Sequence, residues 1–128
     1  MKINNLKTHY KTNKTFRAIF LVILCTIFTS TGQILWKIAS KNLNSIHSII
    51  TNIPLIIGFI CYALGAILLI ISLKYGKLSI LYPFVALSFI WVNIASIFIF
   101  KEVVSIYNWI GIFIIILGVS LIGYGSSK

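Results

Sequence analysis

Four apolar segments follow one another along the chain, separated by short polar stretches. A helix needs ~20 consecutive apolar residues to cross a bilayer, and each segment is about that long. The pattern therefore predicts four transmembrane helices, named here spans one to four. Their expected limits are Phe16 or Ala18 to Ile38, Ile49 to Leu73, Leu78 to Phe100, and Val104 to Tyr124. The predicted fold class is an all-α membrane protein with four transmembrane helices in a bundle.

Span one carries a stripe of polar side chains inside its apolar segment. Spaced at ~100° per residue on one side of the helix are Thr26, Ser30, Gln33 and Lys37, with Thr29 at the edge. Such a stripe is costly against lipid and must face the protein interior or a wet cavity. We predict that it forms one wall of a substrate pathway.

Small residues mark one side of span two, which includes Gly58, Tyr62, Gly65, Leu69 and Ser72. Small side chains let helices approach closely in lipid, so this side is predicted to pack against another helix. Tyr62 could serve either packing or a pocket. Pro54 is tolerated near the start of the span, in a first helical turn.

Span three has a stripe of its own, made of Ser79, Tyr82, Ala86, Phe89, Asn93 and Ser96. Pro83 removes a backbone donor, so we expect it to kink the helix. Asn93 needs a hydrogen-bond partner inside a membrane. An interhelical hydrogen bond and a substrate contact are both open for it.

Glycine recurs every seven residues in span four, at Gly111, Gly118 and Gly125. A seven-residue repeat keeps one side of a helix against a partner helix. The partner could belong to the same protomer, but we favour a dimer seam.

Composition excludes an ordinary soluble domain. Of 128 residues, 59% are apolar and only 9% are charged, with a mean hydropathy of +1.05; soluble domains have ~25% charged residues. Residues 1–17 form a basic tail, expected to be flexible or interfacial, and residues 18–128 the transmembrane domain. The first apolar segment is longer than the apolar region of a secretory signal peptide, so we expect it to be retained as a transmembrane helix.

The net charge of +10 would suggest nucleic acid in a soluble chain. Here the cations lie in the tail and loops without an RNA-binding pattern, so no nucleic-acid partner is expected. With four spans, one side of the membrane holds Lys2, Lys7, Lys11, Lys14, Arg17, Lys74, Lys77 and Lys128. The other side holds Lys37, Lys41 and Lys101. The positive-inside rule then predicts a multi-pass protein of the plasma membrane with both termini in the cytoplasm.

Catalytic chemistry is poorly represented. Glu102 is the single acidic residue, and no carboxylate pair, nucleophile elbow or phosphate loop is visible, so we expect no enzyme and no cofactor. Cys25 and Cys61 lack matching histidines for a metal site. His47 is expected in the polar loop after span one.

Lys37 and Glu102 are the only opposite charges that the predicted topology places near each other. Lys37 could attract a phosphate or another anion, while Glu102 balances it or meets a substrate amine. The alternative is that Lys37 reaches to the interface and Glu102 is simply solvated. Spacing alone does not decide between the two.

Two stretches carry a family resemblance: TSTGQILWKIAS in span one, and LYPFVALSFIWVNIASIFIFKEVVSIYNWIGIFIIILGVSLIGYGS at the end. The chain resembles the small four-helix members of the drug/metabolite transporter superfamily, and among them the subunits of aminoarabinose-phosphoundecaprenol flippases. The resemblance implies a dimer, homomeric or heteromeric, of small-multidrug-resistance-like bundles. Spans one to three would line a cavity and span four would pack between protomers.

The resemblance also carries over to single residues. Gln33, Lys37, Tyr82 and Glu102 match flippase-like positions, and Gly111 and Gly118 match the glycine repeat of the small multidrug resistance proteins. Those drug exporters have a membrane-embedded glutamate three residues before the glycine that matches Gly32. This chain has Thr29 there, and proton-coupled cation export needs a carboxylate.

The function expected is translocation of a polyprenyl-phosphate-linked sugar or a similar anionic lipid. Its substrate-binding residues would be Thr26, Thr29, Ser30, Gln33, Lys37, Tyr82, Asn93 and Glu102. Two alternatives stay open: export of a small drug or metabolite, and a non-transporting partner subunit in the membrane.

Overall fold

The computed structural model describes residues 2–41 and 49–125, with side chains from Asn13 onward. The described residues form the helices α1 (Lys2–Ser40), α2 (Ile53–Leu73), α3 (Leu78–Val85), α4 (Leu87–Phe100) and α5 (Ile106–Gly125). They contain four stretches long and apolar enough to cross a membrane, with α3 and α4 together making the third. No strand occurs in these residues, so the all-α, four-span fold class is confirmed.

Span limits agree closely with the sequence pattern. The third runs from Leu78 to Phe100, as predicted, while α2 begins at Ile53 instead of Ile49. The later start follows from a cap, because the Asn52 side chain accepts a hydrogen bond from the Leu55 N–H at 3.2 Å. Pro54 lies in the first turn, where its missing N–H has no helical partner to lose.

The first helix is longer than expected. Its backbone is helical from Lys2, so the basic segment before Arg17 continues span one, where the sequence suggested a flexible or interfacial tail. The division into a tail, residues 1–17, and a transmembrane domain, residues 18–128, stays a prediction. The loop that includes His47 and the C-terminal Lys128 lie outside the described residues.

Helix α1 is the centre of the bundle. It packs most extensively against α2, and it contacts α3 and α4 as well. Helix α5 packs against α3. Three fully buried apolar side chains, Ala18, Val22 and Leu81, form a small core between α1 and α3.

The contact between α1 and α2 is made by glycines. A Cβ added to Gly32 would lie 2.8 Å from the Gly58 carbonyl oxygen, and one added to Gly65 would lie 2.5 Å from Thr29 Cγ2. Ser72, on the same side of α2, is fully buried. The predicted packing side of span two is thus confirmed, and its partner is span one.

Trp36 closes this contact near the end of α1. Its ring stacks on Tyr62 with centroids 5.0 Å apart, and it meets Phe59 at 4.9 Å. A Cβ on Gly58 would approach the indole to 2.6 Å. The packing role considered for Tyr62 is therefore confirmed.

Span three breaks between α3 and α4. Pro83 lies inside α3, and the helix ends at Val85, with Ala86 joining it to α4. Pro83 has no N–H for the Ser79 carbonyl four residues earlier. That carbonyl faces α5, where a Cβ on Gly123 would come within 2.7 Å of it. The helix is interrupted three residues after Pro83, in line with the expected kink, and Gly123 lets α5 approach the freed carbonyl.

Candidate functional site

An ion pair between Lys37 and Glu102 joins the last turn of α1 to the end of α4. Lys37 Nζ also donates to Ser96 Oγ at 3.3 Å and lies 4.6 Å from the centre of the Phe100 ring. The side chains of Lys37 and Glu102 are 38% and 48% exposed, so a molecule beside the bundle can reach both. The structure brings together the two opposite charges singled out in the sequence.

The backbone places Glu102. Helix α4 ends at Phe100, and Lys101 takes the left-handed conformation, with φ of 53°. This turn folds the chain back, so the Glu102 N–H donates to the Ser96 carbonyl at 3.2 Å. The carboxylate is consequently held over the end of α4, next to Lys37.

Local charge lowers the pKa of Glu102. The main cause is the hydrogen bond from the Lys37 ammonium, and the Lys37 charge, a Ser96 hydrogen bond and the Lys41 charge act in the same direction. Partial desolvation opposes them. Glu102 is therefore ionised at neutral pH, and this end of the bundle carries one anion among cations.

The polar stripe of α1 points inward. Ser30 is only 3% exposed and donates to the Ser88 carbonyl of α4 at 3.4 Å. Thr26 is 1% exposed, and its hydroxyl bonds to the Ile23 carbonyl of its own helix at 2.7 Å. The name polar seam is used below for the contact between α1 and α4 that contains Ser30, Ser96 and the Lys37–Glu102 pair.

Thr29 lies at the edge of the stripe, as its helical position predicts, and turns towards α2. Its hydroxyl donates to the Cys25 carbonyl at 3.0 Å, and its methyl group lies against Gly65. The position of the exporters' glutamate is thus occupied by a satisfied hydroxyl in a tight helix contact. Gln33 is half-buried, and its amide makes no hydrogen bond within the part of the chain that the structure describes.

A groove of about 430 Å³ runs beside the polar seam. Ile27, Ser30, Thr31 and Ile34 of α1 line it on one side, and Trp91, Ile94, Ala95, Phe98 and Ile99 of α4 on the other. Its walls are apolar apart from the two hydroxyls. The arrangement suits an amphiphile, whose chain would contact the groove while its head meets polar groups.

Two predicted site residues lie elsewhere or have other partners. Tyr82 lines a separate groove of about 460 Å³ between α3 and α5, together with Leu78 and Val119. Asn93 is half-buried and donates to the Phe89 carbonyl of its own helix at 3.0 Å. Its amide thus bonds within its own helix and not to another helix, the first alternative considered from the sequence. The substrate roles of both residues stay predictions.

Sequence reasoning did not place Ser88, Ser96 and Phe100 in the site. Ser96 belonged to the polar stripe of span three, and that signal could have found it. Ser88 contributes a backbone carbonyl, and Phe100 lies beside two ammonium groups, of Lys37 at 4.6 Å and Lys41 at 5.0 Å. Neither contribution has a signature in residue type or spacing.

Four apolar spans, the first of them with a polar stripe, define a class, the small multi-pass membrane proteins with the four-helix drug/metabolite transporter fold. Among known proteins, the chain is 36% identical over 107 residues to a probable 4-amino-4-deoxy-L-arabinose-phosphoundecaprenol flippase subunit ArnE of Hamiltonella defensa. The match covers 83% of this chain and 96% of that relative. The chain belongs to this family of flippase subunits.

Further relatives carry the same name. The protein of Escherichia fergusonii is 30% identical over 80% of this chain and 94% of its own length. That of Proteus mirabilis is 30% identical over 85% and 99%, respectively. No family model and no solved structure matches the chain. The family resemblance noted in the sequence is thereby confirmed.

Proposed function

We propose that this chain is a transporter subunit, not an enzyme, that carries a polyprenyl-phosphate-linked amino sugar across the membrane. The observation that carries the proposal is the Lys37–Glu102 pair at the end of the polar seam, in a chain whose relatives are named as flippase subunits. The inward polar stripe and the adjoining groove support it.

Charge complementarity supports the choice of substrate. The lipid in the relatives' names has a phosphate, which is anionic, and a sugar amine, which is cationic at neutral pH. Lys37 would bind the phosphate and Glu102 the amine, so the substrate replaces one ion pair by two. Because the pair is open to the surroundings, this exchange needs no buried charge to be left alone.

The path of the head group would follow the polar seam. Ser30 and Thr31 line the groove, and Gln33 lies between them and Lys37 with an unused amide. Thr26 is almost fully buried, so contact with substrate would require the helices around it to separate. The polyprenyl chain would stay against Ile34, Phe98 and the surrounding lipid, where apolar contact is favourable.

Orientation and assembly complete the proposal. The distribution of lysines supports both termini in the cytoplasm, which puts the Lys37–Glu102 pair on the outer side. A second subunit would cover α5, since a Cβ added to Gly111, Gly118 or Gly125 meets nothing within 4 Å in the protomer.

A flipping assay tests the transport site. The purified subunit, with and without its co-purifying partner, is placed in liposomes containing a polyprenyl-phosphate amino sugar. A membrane-impermeant amine reagent then reports the head groups on the outside. Lys37→Gln and Glu102→Gln should each slow flipping by about tenfold to a hundredfold, the range of one hydrogen bond to a charged group.

The exchanged pair Lys37→Glu with Glu102→Lys is the matched control for structure. It restores an ion pair but reverses the charge offered to phosphate and amine, so flipping should stay low while thermal stability recovers. Full recovery of flipping would show that the pair only holds the helices together, and the proposed site would be abandoned. Flipping of a lipid without the amine should no longer respond to Glu102→Gln but should still be slowed by Lys37→Gln.

Association through α5 has its own test. Gly118→Leu places a large side chain on the open glycine side and should shift the protein towards monomer in detergent, measured by crosslinking. Val119→Leu, at a half-buried neighbouring position beside α3, is the control with similar bulk. Equal dimer fractions in Gly118→Leu and the unmodified protein would remove the glycines from the interface.

A further inference from the structure

A second polar site lies at the opposite end of α1. A cavity of about 190 Å³ is lined by Asn13, Lys14, Arg17 and Tyr75. It adjoins an apolar groove of about 390 Å³, lined by Phe16, Arg17, Phe20, Leu21, Ile71 and Tyr75. The two share Arg17 and Tyr75, so a cationic compartment opens directly into an apolar one.

The Arg17 guanidinium in this compartment has no acidic side chain beside it. Glu102 is the only acidic side chain of the protein, and it is paired with Lys37 at the other end of the bundle. Within the described residues, neither the Arg17 guanidinium nor the Tyr75 hydroxyl has a hydrogen-bond partner. A guanidinium offers five N–H donors in a fork that matches phosphate oxygens, so the cavity is suited to a phosphate.

We infer that this site binds an anionic phospholipid of the bilayer. Arg17 would hold the phosphate, Lys14 would add charge and Tyr75 a hydrogen bond. One acyl chain would lie along Phe16, Phe20 and Ile71. Basic pockets between transmembrane helices on the cytoplasmic side are a recurring form of anionic lipid site, and the lysine-rich side of this bundle provides one.

This lipid is a resident of the site and not the transported molecule. Arg17 and Lys37 are twenty residues apart in one helix, which separates them by ~30 Å along the axis and ~200° around it. The cavity lies between α1 and α2, and the polar seam lies between α1 and α4. Glycine contacts close the α1–α2 side at Gly32 and Gly65, so no path leads from the cavity along that contact.

Native mass spectrometry of the full chain in detergent tests the inference. The protein is titrated separately with dioleoyl phosphatidylglycerol, dioleoyl phosphatidylcholine, inorganic phosphate and undecaprenyl phosphate. We expect phosphatidylglycerol to bind best and Arg17→Gln to weaken it about tenfold or more. Lys74→Gln removes one positive charge from the same end of the bundle but outside the cavity, and should change binding by less than twofold.

Each measurement has an outcome that would contradict the proposed lipid site. Equal weakening by Arg17→Gln and Lys74→Gln would mean general surface attraction, and equal binding of phosphatidylcholine would mean a site without charge selection. Saturation by inorganic phosphate alone would remove the role of the apolar groove. A tenfold preference for undecaprenyl phosphate would make the site a loading point for cargo. Unchanged elution and tryptophan emission verify that both variants are folded.

Discussion

The two sides of α1 are built in opposite ways. Against α2, backbones come so close that a single added carbon on Gly32 or Gly58 would collide with the other helix. Against α4, the contact is made by a few polar atoms, such as Ser30 to the Ser88 carbonyl at 3.4 Å, and a groove of about 430 Å³ lies beside it. The α1–α2 contact is closely packed, whereas the α1–α4 contact is polar and leaves a groove beside it.

The difference indicates which contact can open. Without a hydrophobic driving force in lipid, helices associate through close packing and interhelical hydrogen bonds. The α1–α2 contact has the packing and should persist through transport. The polar seam has few contacts to lose, and its ion pair can be exchanged for a charged ligand. Motion during transport is therefore expected between α1 and α4.

The largest expected effect is on transport. Ala95→Phe places a ring in the groove beside the polar seam and should reduce flipping to near the rate of protein-free liposomes. Because the groove is empty, the free energy of unfolding should change by less than ~1 kcal/mol. Ala63→Phe, on an exposed face of α2, is the control and should transport normally. Normal flipping by Ala95→Phe would show that the groove is not used.

The next effect is on stability. Gly32→Ala puts its Cβ 2.8 Å from the Gly58 carbonyl oxygen, so α1 and α2 must separate. A loss of about 1–3 kcal/mol in unfolding free energy is expected, as for other overpacked sites. Gly118→Ala meets nothing within 4 Å and should be neutral or slightly stabilising. Denaturation in mixed micelles measures both, and equal losses of stability in the two variants would contradict the close packing of α1 against α2.

A smaller effect is expected in the polar seam. Ser30→Ala removes one long hydrogen bond to α4 and should cost about 0.6 kcal/mol, the mean for interhelical bonds in a membrane. Thr31→Ala removes only a bond to the Ile27 carbonyl of the same helix, at 2.8 Å, and serves as the control. A loss above ~2 kcal/mol for Ser30→Ala in the same micelle assay would mean that the seam is rigid.

The smallest effect concerns pH. The lowered pKa of Glu102 means that its ion pair stabilises the folded protein fully above the unfolded value of about 4.3. That stabilisation is lost as pH falls through the lowered pKa. The difference in melting temperature between the unmodified protein and Glu102→Gln should be constant near neutral pH and vanish in acid. A difference that changes between about pH 6 and 8 would point to another titrating group.

The spans could be predicted because bilayer thickness fixes their length. The inward direction of Ser30 and Lys37 could be predicted because hydroxyls and cations avoid lipid. The proximity of Lys37 and Glu102 also followed from topology. The site role of Tyr82 could not be judged in the same way, because Tyr82 lines a groove formed with α5, whose packing against α3 the pattern of span three does not show.

Some features depend on backbone geometry that residue type does not encode. Lys101 adopts a left-handed conformation that glycine usually supplies, and this turn places Glu102. The Ser88 carbonyl is an acceptor that any residue could provide. The first helix extends back to Lys2 although polar residues fill its beginning. A hydrophobic pattern alone therefore predicts the bundle better than it predicts the site.

The break at Ala86 divides span three into two rods with different attachments. The part before it, α3, packs against both α1 and α5, and the part after it, α4, packs against α1, carries Ser96 and leads to Glu102. A hinge at this point would let α4 move relative to α3 and α5. A subunit docked on α5 would then not be displaced when α4 moves, so the two subunits could operate independently.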